Sequence, residues 1–171
     1  KTTVTIQAVN APAVGDLELT KTSEDGIVWG IPFTVTGPNN YRSVITSSVF
    51  GNWKLTGLKP GIYTITETTP DRYVPQAAKT VIVAAGQTAA VSFHNILRRG
   101  SIRILKIDRP GNALAGAEFL LEVSKDNGTT WNPATAAECS SMNLVNGKLT
   151  TGTDGIAKFE NLPAIPTCGI G

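Results

Sequence analysis

Cysteine and histidine are scarce in this chain, and their scarcity excludes whole classes of chemistry. The only two cysteines, Cys139 and Cys168, lie far apart in the second half of the 171 residues. That spacing rules out a compact metal motif, and it leaves two readings open: one disulfide in an oxidising compartment, or two buried thiols. The only histidine, His94, faces outward by strand parity and reads as solvated. No set of nucleophile, base and orienting group can be assembled around it. Neither a metal nor a cofactor is expected. Long apolar runs are missing too: none approaches the ~20 residues of a membrane-spanning helix, and the opening residues do not read as a secretory leader. No membrane insertion is expected of this segment. Net charge is only +2, with basic and acidic residues interspersed, so no electrostatic footprint marks a nucleic acid as partner. Nothing has the period of a long amphipathic helix.

The chain does contain a repeat. GDLELTK, Gly15 to Lys21, returns as GSIRILK, Gly100 to Lys106, at an offset of 85 residues. Both copies alternate as strands do, with Leu17, Leu19 and Lys21 on one face of the first and Ile102, Ile104 and Lys106 on one face of the second. Each apolar face ends in a lysine. That is unusual, because an unpaired ammonium taken out of water costs several kcal/mol or gives up its proton. Two more strands end in the same way: Tyr63, Ile65 and Glu67 share a face of IYTITE, and Val91, Phe93 and Asn95 share a face of VSFHN. If these strands lie side by side, amine, carboxyl and carboxamide meet in the core. From parity alone, Lys21 and Glu67 form a salt bridge with Asn95 as hydrogen-bond partner, or the strand ends simply reach solvent.

Read in order, residues 1–14 carry Val4, Ile6, Ala8 and Asn10 on one face. Asn10 precedes Lys21 by 11 residues, as Asn95 precedes Lys106. This stretch is expected to be the last strand of a preceding module plus a linker. Residues 15–97 form the complete module: LELTK, IPFTVTG, YRSVITSS, NWKLTGL, GIYTITE, KTVIVAA and TAAVSFHN are strand-like runs separated by turn signals such as EDG, GPNN and KPG. Seven short strands in such a span predict a β-sandwich. Residues 98–171 open in the same order, with AGAEFLLEVS matching WGIPFTVTG and TDGIAKFENL matching FGNWKLTGL. Between Phe119 and Gly155 there are 36 positions against 18 between Phe33 and Gly51, so this module carries an insertion around KDNGTTWNPATAAECSSMN. Counterparts of the Glu67 and Asn95 strands do not follow, which makes 98–171 a partial second module.

These features together resemble the Cna-B-type, or SpaA-like, repeats of Gram-positive surface proteins, pilin shafts and adhesin stalks. The matching features are the LxLxK or IxIxK first strand, the AGAEF second strand, the TDG turn before a FENLP strand, the YTITETTP segment and a last strand ending in Asn. WGIPF and TSSVFG in the first module depart from the pattern at two turns. The resemblance implies an all-β fold of tandem Ig-like or prealbumin-like sandwiches, mostly antiparallel. It also implies a reaction: the Lys21 amine attacks the Asn95 side-chain amide and expels ammonia, leaving an intramolecular isopeptide bond, with Glu67 as proton shuttle. An apolar core favours the uncharged amine, and a protonated acid there can polarise the amide carbonyl. This is single-turnover self-crosslinking and not enzymatic turnover. Asn10 and Lys106 are the candidates for equivalent bonds completed by parts outside this chain.

The expected function is a structural stalk or shaft repeat of an extracellular, cell-wall-anchored Gram-positive surface or pilus protein. Its partners are neighbouring repeats of the same longer polypeptide, with host protein or glycan bound through other domains. Two alternatives stand beside it. One is a ligand-binding adhesin module using Trp29, Trp53 or Trp131; the other is an accessory β-sandwich of a secreted enzyme.

Overall fold

The computed structural model describes residues 13–124, 126, 128–135 and 144–163. Among them there are thirteen strands and no helix. The chain divides into two compact units, residues 1–70 with 75–95 and residues 71–74 with 96–171.

In the first unit the seven expected strands form. They are β1 (Gly15–Ser23), β2 (Pro32–Gly37), β3 (Tyr41–Thr46), β4 (Asn52–Leu58), β5 (Gly61–Glu67), β6 (Lys79–Val83) and β7 (Thr88–Asn95). They make two sheets, ordered β4-β1-β7 and β3-β2-β5-β6. Alternate residues of both sheets turn to a shared core of Leu17, Leu19, Phe93, Phe33, Val35, Tyr63, Ile65 and Val83. The strands alternate because each sheet buries one face and leaves the other to water. Threonine, whose branched Cβ suits a pleated surface, supplies most of the outer positions of β2 and β5.

All pairings in this unit are antiparallel except one. β1 and β7 run parallel, with Lys21 opposite Phe93 and Ser23 opposite Asn95. The strands carrying Lys21 and Asn95 are therefore neighbours, as expected. The strand carrying Glu67 is not beside them: β5 belongs to the facing sheet, paired to β2 with Phe33 opposite Glu67. Strand parity fixes which face a residue takes but carries no information about which sheet the strand joins.

The second unit contains β8 (Arg99–Leu105), β9 (Glu118–Leu120), β10 (Glu122–Val123), β11 (Asn132–Pro133), β12 (Lys148–Thr150) and β13 (Ile156–Pro163). β8 pairs with β13, β9 with β12, and β10 with β11, all antiparallel. Ala134, Leu149, Ala157 and Phe159 form its core. The described part of the insertion is a short ribbon whose turn is built on Asp126. Its carboxylate accepts from Ser124 Oγ, Thr130 N and Thr130 Oγ1 at 2.6 to 2.9 Å. Those hydrogen bonds, from Thr130 first, hold the Asp126 carboxyl down at about 2.

The repeat is also visible in the backbone. Lys21 N donates to Gly51 O at 2.5 Å, and Lys106 N donates to Gly155 O at 2.8 Å. Both glycines have left-handed backbones, φ 73° and 70°. A Cβ on Gly51 would meet the Lys21 carbonyl oxygen, and one on Gly155 would meet that of Lys106. These two glycines set where the lysine-bearing strand lies. Gly26 has the same φ, 75°, but faces open space. Gly51→Ala should therefore lower the melting temperature of the first unit by roughly 10–20 °C, and Gly26→Ala by about half that or less, since only the backbone strain applies there. Thermal denaturation followed by circular dichroism measures both; equal effects would contradict the close approach at Lys21.

Candidate functional site

Lys21, Glu67 and Asn95 are deeply buried polar residues at one end of the first unit's core, 2%, 6% and 0% exposed, in a core otherwise largely apolar. β1 and β7 deliver the lysine and the asparagine from one sheet, and the end of β5 delivers the glutamate from the other. Phe33 and Phe93 pack edge to face beside them, ring centroids 5.3 Å apart. One is paired opposite Glu67 and the other opposite Lys21. Such rings exclude water and lower the local dielectric.

The Glu67 carboxylate spans the other two groups. Its Oε1 accepts from Asn95 Nδ2 at 2.5 Å, and its Oε2 lies 3.9 Å from Lys21 Nζ. Among the described residues Oε2 accepts no hydrogen bond. Lys21 Nζ donates to the carbonyl of Thr22 at 2.7 Å. Burial pushes the Lys21 amine below its ordinary 10.5, and the negative charges of Glu67 and then Asp25 oppose that shift without cancelling it. The amine is thus poised toward its uncharged, nucleophilic form.

Gln76 completes the cluster. Its Nε2 donates to the backbone carbonyl of His94 at 2.7 Å and to Asn95 Oδ1 at 2.6 Å. The His94 carbonyl can only accept, so it fixes which end of the glutamine amide is nitrogen; Gln76 in turn fixes which end of the asparagine amide is oxygen. The Asn95 carbonyl oxygen consequently faces Gln76, and its NH2 group faces Glu67. Arranged this way, the cluster places an amine, an amide whose oxygen accepts a hydrogen bond from Gln76, and a carboxylate touching the amide nitrogen in one pocket.

A model of the SpaA prealbumin-like fold domain matches residues 15–96 and again residues 100–164. The chain belongs to the SpaA domain family. Among solved structures this SpaA pair is similar to the Bacillus anthracis TIE protein, at 28% identity and a TM-score of 0.68, over 88% of this chain and 26% of that one. It is also similar to a Streptococcal ancillary pilin, at 20% identity and TM-score 0.45, over 90% of this chain and 52% of that one. A third is the Bacillus cereus major pilin subunit BcpA, at 14% identity and TM-score 0.48, over 86% of this chain and 57% of that one. The chain spans about a quarter to somewhat over half the length of these proteins. No curated protein matches it.

In the second SpaA unit Lys106 is half-buried, and its Nζ donates to the Ile107 carbonyl at 3.3 Å. Asn10, Cys139 and Cys168 lie outside the described residues. His94 is exposed, as its parity indicates, and its Nδ1 hydrogen-bonds Thr22 Oγ1 at 2.8 Å. Of the tryptophans, Trp53 packs against the core, edge on to Phe33, while Trp29 and Trp131 are 64% and 57% exposed. Gln76 is the member of the cluster that sequence reasoning missed. It sits in a strand-free stretch between β5 and β6, where no alternation assigns it a face.

Leaving one partner of a buried charge pair alone is costlier than removing both. Glu67→Leu should therefore be less stable than the double variant Lys21→Met, Glu67→Leu, by about 1–3 kcal/mol near neutral pH. The single variant should also gain stability as pH rises. Without Glu67 the folded-state pKa of Lys21 falls further below 10.5, so the unfolded chain binds more protons in the window between the two values, and stability grows with pH across it. Urea denaturation across that range measures both effects; a pH-independent difference of zero would show that the amine is not buried alone.

Proposed function

We propose that the first unit is a load-bearing repeat of a pilus or other surface structure of a Gram-positive bacterium, locked by an isopeptide bond between Lys21 and Asn95. The observation that carries this is the burial of an amine, a carboxamide and a bridging carboxylate in one apolar pocket. Membership of the SpaA family supports the structural and surface role, and the first unit's fold supports the mechanical one.

The chemistry follows from the contacts. Lys21 gives a proton to Glu67, and the free amine attacks Asn95 Cγ. Glu67 reaches the amine with one oxygen and the Asn95 nitrogen with the other, so it can return a proton to that nitrogen as it leaves as ammonia. Holding the reactants in a packed core replaces an encounter in solution by a fixed approach, worth roughly 7–11 kcal/mol of the barrier when the geometry is near-attack. The lysine nitrogen sheds two protons and the departing ammonia takes up one, so Glu67 holds the second until ammonia or solvent carries it off and the carboxylate is restored; one bond is made per molecule.

The topology explains what such a bond does. β1 and β7 are parallel neighbours, so tension entering at Gly15 and leaving at Asn95 loads them in shear. A Lys21–Asn95 bond carries that load directly and shields the residues between. It closes a loop of 74 residues, Lys21 to Asn95, which on the chain-entropy model used for disulfides stabilises by about 4–5 kcal/mol.

Intact mass spectrometry tests the reading. The wild-type chain should weigh less than its sequence by one ammonia, and Lys21→Ala, Asn95→Ala and Glu67→Ala should each restore the full mass. The unbonded variants should also melt roughly 15–30 °C lower. A wild-type chain at full sequence mass would leave only a buried ion pair.

A further inference from the structure

The geometry points to Gln76 as a catalytic residue of the crosslinking reaction: its side-chain N–H is the donor that receives the negative charge developing on Asn95 Oδ1. This rests on the isopeptide reading above and adds a fourth residue to it. Attack on an amide carbon drives the carbonyl π electrons onto oxygen, and a donor already in place there stabilises the transition state more than the starting amide. Gln76 Nε2 is 2.6 Å from that oxygen. The Glu67 carboxylate is 2.5 Å from the amide nitrogen and not on the carbonyl oxygen, so the polarising of the carbonyl expected of the acid falls to Gln76, and Glu67 attends the leaving group.

The step balances without any further reactant. The Lys21 Nζ–Asn95 Cγ bond forms and the carbonyl electron pair moves to Oδ1, held by the Gln76 N–H. Glu67 accepts a proton from the attacking nitrogen and delivers one to Nδ2. The Oδ1 pair then re-forms the carbonyl, the Cγ–Nδ2 bond breaks, and ammonia leaves. Gln76 neither gains nor loses a proton.

The position of Gln76 is prepared before the reaction. Its second contact, to the His94 carbonyl at 2.7 Å, anchors the same nitrogen to the backbone of the residue preceding Asn95. Donor and electrophile are thus tied to one strand, and the donor does not have to reorganise as charge builds. Pro75, directly before it, restricts the backbone that presents it.

The test is a rate, measured on the full chain. Wild type, Gln76→Met and Gln76→Glu are synthesised in a cell-free system, quenched in acid at intervals and weighed for loss of ammonia. Gln76→Met keeps the length of the side chain and removes the donor, so bond formation should slow by roughly ten- to a hundred-fold, somewhat less than for a fully enclosed oxyanion donor. Gln76→Glu should be at least as slow near neutral pH. Its rate relative to wild type should recover as pH falls through the ordinary glutamic acid range, about 4–5, where the acid regains an O–H donor. To separate chemistry from folding, Gln76→Met is also placed in a Lys21→Ala background, which cannot crosslink. There it should shift the melting temperature by only a few degrees, the cost of one part-exposed hydrogen bond. Gln76→Met crosslinking at the wild-type rate would overturn the assignment while leaving the isopeptide reading intact. A slowdown matched by a large loss of stability in the Lys21→Ala background would overturn it as well. A wild-type chain that never loses ammonia would overturn both.

Discussion

The first unit is organised around the cost of burying one ammonium group. Lys21 sits on a strand face whose other members, Leu17 and Leu19, are fully enclosed, and the parity that buries them buries it too. A lysine in that place must be neutralised, paired or consumed. The structure supplies the partners from opposite sheets: Glu67 within 3.9 Å and Asn95 bound to Glu67. The Gly51 turn holds the lysine strand by its backbone, so the amine cannot swing out without disturbing the β1–β4 junction. A simple hydrophobic residue at position 21 would satisfy the fold at less cost. What the polar cluster would add, on the proposed reading, is reactivity.

The same arrangement links local chemistry to mechanics. Parallel pairing of the terminal strands is the geometry in which pulling on both ends shears a whole ladder, and the cluster lies where the strand carrying the exit point ends. The proposed bond joins these two strands late in β1 and at the last residue of β7. Force would then cross the unit through a short run of β1 and one side-chain amide, and the four-stranded sheet would bear none of it. A module poor in cysteine would obtain by the proposed bond a crosslink that reductants do not touch.

Much of this was legible in the sequence because strands have a period of two. Leu17, Leu19 and Lys21, or Val91, Phe93 and Asn95, take one face in any sheet, so the face of the lysine and the asparagine could be read without knowing the topology; that these strand ends are enclosed and do not reach solvent is a result of the fold. The Gly51 and Gly155 turns were legible as equivalent positions of the repeat, and their matching backbone geometry follows. Two things could not be read. Parity does not say which sheet a strand joins, and the three groups meet because β5 faces β1 and β7 across the core, not because it lies beside them. Gln76 lies between strands, in VPQAAK, where neither alternation nor a turn signature assigns a direction. Its role rests on two hydrogen bonds that only the folded chain brings about.

In the proposed reaction Lys21 and Asn95 become one covalent unit. Trypsin cuts after a lysine only when its side chain is free, so peptide mapping by tandem mass spectrometry reads the bond directly. A bonded chain should show no cleavage at Lys21 and should yield a branched peptide that joins β1 to β7, with fragment masses placing an amide between Lys21 Nζ and Asn95 Cγ. Linear peptides ending at Lys21, together with an unmodified peptide containing Asn95, would contradict it.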